Sequence, residues 1–149
     1  MPDTGASAKT LLAFDYGLRH IGAAVGQRLI ASSNPAGTIR ARDGVPDWDA
    51  ITTLINEWRP QLLLVGLPLN MDGTDSPMAV RTRKFSRQLH ERYKIPVEMV
   101  DERLTSFAAK QTRKETQRST NFGKDTVDAE AACILLQDYY NHTSTKPQQ

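Results

Sequence analysis

Apolar residues in this chain fall into separated runs, and their spacing alternates between a strand period and a helix period. Residues 10–16 (TLLAFDY) are apolar and end at Gly17, which predicts a strand and then a tight turn over 17–20. Residues 21–27 (IGAAVGQ) and 29–39 predict two further strands in a meander, with Gly22, Ala23 and Ala24 small enough for close packing. Over 47–58, Trp48, Ile51, Ile55 and Trp58 share one helical face, and Pro60 stops the helix. Residues 61–67 (QLLLVGL) form a continuous apolar run between Pro60 and Pro68, the pattern of a strand buried on both faces. Residues 68–77 (PLNMDGTDSP) are dense in turn formers. A helix over 76–93 carries Met78, Thr82, Phe85 and Leu89 on one stripe, and 97–100 reads as a short strand. A basic helix over 104–115, a loop over 116–124, a last helix over 126–140 and a disordered tail complete the order β-β-β-α-β-α-β-α-α. Such an order predicts an α/β fold: a mixed central sheet, a three-strand meander followed by parallel strands, with helices on both faces.

Composition narrows the class. The 149 residues, 39% hydrophobic and 24% charged, suit one soluble domain with an ordered core over about 10–141. No apolar run approaches the roughly 20 residues that span a bilayer, and the N-terminus lacks the apolar segment of a secretory signal. Cys133 is the only cysteine, which excludes an internal disulfide and a cysteine-based metal site and points to a cytoplasmic setting. The net charge of +2 hides an uneven distribution. Between Arg81 and Arg118 lie eleven Lys and Arg against five acids, an excess of six positive charges, and the flanks are acidic. A basic middle of this kind suits a polyanion.

Three acids carry the candidate chemistry. Asp15 lies near the end of the first strand, Glu102 comes just after the strand over 97–100, and Asp128 lies near the start of the last helix. Sites in open α/β sheets gather at the carboxyl ends of strands. Converged there, three carboxylates would hold hard cations, Mg²⁺ or Mn²⁺. Two such ions about 4 Å apart activate water and stabilise a leaving oxygen in phosphodiester cleavage. Alternation sends Asp101 and Glu102 to opposite faces. Glu102 has the longer reach, and Asp101 is suited to capping the next helix. Asp125, three residues before Asp128, shares its helical face and is an auxiliary ligand candidate. Arg19, Arg103 and Lys124 are candidates for flanking phosphates, and Arg81, Lys84, Lys110, Arg113 and Lys114 for the rest of a nucleic-acid backbone. No zinc-ligand spacing and no GxxxxGK[ST] phosphate loop occur.

Four blocks, FDYGLRHIGAAVG, VGLPLNMDGTDS, VDERLTS and KDTVDAEAACILLQDYY, together resemble the YqgF-type (RuvX-type) nuclease family from about Leu11 to Tyr140. The resemblance implies a ribonuclease-H-like fold similar to Holliday-junction resolvases, with Asp15, Glu102 and Asp128 as metal ligands. It implies processing of the precursor of small-subunit (16S) ribosomal RNA, with the pre-ribosome as an expected partner and a monomer or weak homodimer as the expected state. Holliday-junction resolution, acting on branched DNA, is a second reading. A non-catalytic RNA- or ribosome-binding module is a third, opposed by the three acids, which repel a polyanion unless metal intervenes.

Overall fold

The computed structural model describes residues 9–104 and 124–144, with backbone alone at 104, 124–127, 143 and 144. Strands β1 (Thr10–Asp15), β2 (His20–Gln27) and β3 (Asn34–Arg42) form the expected antiparallel meander. A two-residue strand β4 (Val45–Pro46) closes a hairpin onto β3. Helix α1 (Trp48–Trp58) leads to β5 (Leu62–Leu67), helix α2 (Pro77–Tyr93) to β6 (Val97–Asp101), and a 3₁₀ turn (Glu102–Leu104) comes next. Helix α3 (Lys124–Ser144) comes last. The sheet order is β4-β3-β2-β1-β5-β6, and the β1–β5 and β5–β6 pairings are parallel.

β1 and β5 lie at the centre, and every residue of β5 is buried. Their side chains alternate between two cores. Leu11, Ala13, Leu62 and Leu64 pack with Ala131, Ala132, Leu135 and Leu136 of α3. Leu12, Phe14, Leu63 and Val65 face the opposite core, with Ile51 and Ile55 of α1 and Phe85 and Leu89 of α2. Helices therefore cover both faces, as a parallel centre requires.

Both capped helices begin where the sequence places them. The Asp47 carboxylate accepts from Ala50 N at 3.3 Å, and Ser76 Oγ accepts from Ala79 N at 3.0 Å while Pro77 opens α2. α1 ends on Arg59 in the left-handed region (φ 48°), with its N–H on Ile55 O, one residue before Pro60.

Several expectations shift. Residues 28–30 form a 3₁₀ turn rather than strand, and β3 starts at Asn34 and runs to Arg42. Leu29 and Ile30 look like strand residues, yet both are exposed, because the turn carries them off the sheet. β4 was too short to announce itself. Lys124 opens α3 instead of ending a loop, and 141–144 continue that helix rather than starting a tail. The expected helix over 105–115 and loop over 116–123 lie outside the described residues. Among the described residues, no helix is long and apolar enough to cross a membrane.

Candidate active site

Asp15 ends β1 and is only 6% exposed. Alternation puts it on the α3 side of the sheet with Leu11 and Ala13. Its antiparallel partner is Gly22. A Cβ on Gly22 would stand 1.9 Å from the backbone oxygen of Asp128. Only the missing side chain lets α3 rest directly on β2 at that point. Asp128 is thereby carried to the strand beside Asp15, and it is 1% exposed. On the other side of β1, the parallel register runs to Phe14 and Val65. Gly66 is therefore next, beside Asp15. A Cβ on Gly66 would stand 2.4 Å from Glu102 Oε2. Asp15 thus lies between two bare backbone positions, one covered by the main chain of Asp128 and the other by the carboxylate of Glu102.

The three acids reach one end of the sheet from three elements, and each takes part in contacts within the protein. Their donors are hard oxygens, the set that Mg²⁺ or Mn²⁺ takes with water and substrate phosphate. The two glycines leave room for those oxygens on both sides of Asp15. Among the described residues, no three His, Cys, Asp or Glu side chains stand as a ready-made metal site. The Asp125 side chain lies outside the described residues, although its backbone belongs to the first turn of α3.

Asp101 and Arg103 bond to each other. Asp101 Oδ1 accepts from Arg103 N at 2.9 Å, capping the 3₁₀ turn, and Asp101 Oδ2 accepts from Arg103 Nη2 at 2.8 Å. Hydrogen bonds from Arg103 hold the Asp101 carboxyl below its ordinary value of 3.8. Arg103 Nη1 also donates to Met71 O at 3.2 Å. These bonds link the end of β6 to the loop over 68–76. That loop is self-bonded: Asn70 N donates to Thr74 O, and Asp72 accepts from both the N–H and the hydroxyl of Thr74. Ser76 Oγ ties its far end to Pro68 O.

Arg19 is exposed in the turn after Asp15, and its carbonyl accepts from Ala41 N. Arg81 and Lys84 are exposed on α2, on the other side of the sheet from α3. Arg81 Nη1 donates to Asp43 O at 3.4 Å. Between them and Asp15 stands Tyr16, whose hydroxyl donates to Gly44 O at 2.6 Å. Burial pushes the Tyr16 phenol up, with the nearby Arg81 opposing. The Lys124 side chain and all of Lys110, Arg113 and Lys114 lie outside the described residues. Reading the sequence alone missed Gly66 and Tyr16. Gly66 had a signal, a lone glycine inside an otherwise aliphatic strand, which marks close approach.

The family model described as "RuvX: Holliday junction resolvase" matches residues 9–142. Relatives bearing the name "Putative pre-16S rRNA nuclease" include those of Saccharophagus degradans (44% identical, covering 95% of this chain and 99% of the relative) and Marinobacter nauticus (48%, covering 93% and 96%). An Escherichia coli relative of the same name is 45% identical, covering 88% and 95%. Among solved structures, Thermus thermophilus RuvC bound to a Holliday-junction substrate superposes with a TM-score of 0.55 at 12% identity, covering 92% of this chain and 96% of that one. The last similarity is one of fold, and it bears out the expected ribonuclease-H-like architecture.

Proposed function

This chain belongs to the RuvX family of nucleases, and from that membership we propose that it hydrolyses phosphodiester bonds in the precursor of 16S ribosomal RNA. The observation that carries the reading is Asp15 set between Gly22 and Gly66, with Asp128 and Glu102 brought over those glycines. The names of relatives 44–48% identical over nearly the whole chain support the choice of substrate. Asp15, Glu102 and Asp128 would hold Mg²⁺ or Mn²⁺, with Asp125 as a fourth donor. When bound, two ions would supply a lowered water pKa and stabilisation of the leaving oxygen.

The chain's own residues do the rest. Asp15 fixes the position of the reacting phosphate relative to the end of the sheet, because both neighbouring strands lock it. Glu102 gives the site an acid that can withdraw, since it rides on a 3₁₀ turn rather than inside a strand. Arg19 and Lys124 orient the strand on either side, and Arg103 braces the loop over 68–76. The pre-ribosome is the expected setting, in the cytoplasm where precursor RNA is made.

The test is cleavage of a ribosomal RNA precursor fragment with Mg²⁺ or Mn²⁺, beside a synthetic four-way junction, with Asp15→Asn as control. RNA products that vanish in the variant while RNA binding persists are expected. Full cleavage by a folded Asp15→Asn protein would sink the proposed site. The family description favours a second reading, junction resolution. Paired symmetric cuts in the junction, with intact RNA, would move the function there. A junction has two-fold symmetry, so that outcome would come with a dimer in sedimentation.

A further inference from the structure

One residue beyond Asp15, on the opposite side of the sheet, lies a recess of about 380 Å³ bounded by α2 and the β3–β4 hairpin. This volume falls within the roughly 300–1,000 Å³ of small-ligand sites. Tyr16 and Trp48 line it with aromatic surface, and Val45, 63% exposed, forms an apolar lip. Along one stripe of α2, at positions i, i+3 and i+7, stand Arg81, Lys84 and Gln88. Neither cation is ion-paired to a carboxylate among the described residues. Asp43 adds one acid at the rim, so the lining carries an excess of one positive charge.

The recess is built, not incidental. Gly44 at its edge has φ of +85°, its N–H donates to Leu18 O at 2.9 Å, and its carbonyl holds the Tyr16 hydroxyl. The hairpin wall is thereby hydrogen-bonded to the same turn that comes after Asp15. β1 and β3 are each antiparallel to β2 and so run in the same direction, which puts the hairpin and Asp15 at the same end of the sheet, where an RNA strand held at Asp15 can continue over the edge to this opening.

We propose that the recess receives one unstacked nucleoside of the substrate RNA, next to the bond that is cut. Arg81 and Lys84 take the phosphate of that nucleoside as charge-assisted donors. The Gln88 amide, a donor and acceptor in one plane, pairs with the edge of its base, and the aromatic and apolar walls take its face. Duplex RNA cannot present a base in this way without breaking a pair, so cleavage favours an unpaired nucleotide at one fixed offset from the cut. The inference rests on the nuclease reading above and deepens it.

The experiment scans a single abasic residue through a short unpaired RNA, nucleotide by nucleotide across the cut, with wild-type protein and Gln88→Ala. We expect cleavage to fall roughly tenfold at one offset only in wild type, the scale of losing one base contact. That position-specific penalty should become smaller in Gln88→Ala, which loses the edge contact and keeps the aromatic and apolar walls. Equal penalties at all offsets, or the same profile in both proteins, would overturn the recess while leaving the nuclease intact. A parallel binding arm uses Asp15→Asn with the same oligonucleotides and reads fluorescence anisotropy. If wild type cuts no RNA, the proposed function falls and binding alone decides. Tighter binding of intact RNA than of one abasic form, reduced on Gln88→Ala, supports the recess. Equal affinities sink it.

Discussion

Replacing Gly66 with alanine should separate chemistry from stability. The new methyl group meets Glu102 Oε2 at 2.4 Å and the two Cδ atoms of Leu135 at 3.0 and 3.1 Å. These are ends of side chains, which can move, so stability should fall by only about 1 kcal/mol. The carboxylate would nonetheless be driven off its seat. Cleavage should fall a hundredfold or more if Glu102 is a ligand, as expected for a misplaced catalytic group. Alanine at Gly22 instead meets main chain, the carbonyl of Asp128. The whole start of α3 must then lift, so stability and activity should fall together, stability by about 1–3 kcal/mol. Urea denaturation beside the cleavage assay distinguishes the two cases. If Gly66→Ala retains full activity, Glu102 is not at the working centre.

The Asp101–Arg103 pair gives a residue-scale dependence on pH. Arg103 holds the folded Asp101 pKa below its ordinary 3.8. The linked stability is therefore complete above that value and is lost as pH falls through the lower folded pKa. Both side chains are about a quarter exposed, so solvent screens the pair and its contribution is small. Asp101→Asn should be less stable than wild type at pH 7, and the difference should fade as pH falls below 3.8 and through the lower folded value. A constant difference across that range, measured by thermal unfolding, would show that the loop brace works through shape rather than charge.

At the scale of elements, N-terminal caps hold the two helices on the α1–α2 face. Asp47→Ala should cost about 1 kcal/mol. Ser76→Ala should cost more, about 1–2 kcal/mol, because Ser76 Oγ also donates to Pro68 O and so fastens the loop over 68–76 to α2. Differential scanning calorimetry of the two variants checks the order. These elements were legible in the sequence because their signals are local: a capping residue, a helical stripe, a stop. β3 and β4 were not. Leu29 and Ile30 have strand propensity, yet a 3₁₀ turn places them in water. The pairing of Val45 with Arg42 depends on a turn at Asp43 and Gly44, both with positive φ.

For the molecule as a whole, nucleic-acid affinity should track salt. Each phosphate neutralised on a single strand steepens the fall of log K with log salt by roughly 0.7. Arg81→Ala and Lys84→Ala should each flatten that slope by about this amount. Arg103→Ala should leave it unchanged, because its guanidinium already faces Asp101 and Met71. A titration across salt concentrations gives all three slopes, and an Arg103 effect equal to that of Arg81 would contradict the bracing role. No residue pattern separates these arginines, since a charge that binds outward and one that binds inward look alike until their neighbours are placed.

The sequence by itself determined the element order, the mixed sheet with its buried parallel centre, and the acids at positions 15, 102 and 128. Period and punctuation act within a few residues, and burial on both faces writes itself as unbroken aliphatic runs. Tertiary structure alone decided which backbone positions the acids cover, that Arg103 reaches Met71 O, and that a recess opens beside Tyr16. Those outcomes depend on approaches between segments from 28 to more than 100 residues apart, such as Tyr16 on Gly44, Asp128 over Gly22 and the β3–β4 hairpin against α2. They are settled by the space a missing Cβ leaves and by register between strands, neither of which a local pattern contains.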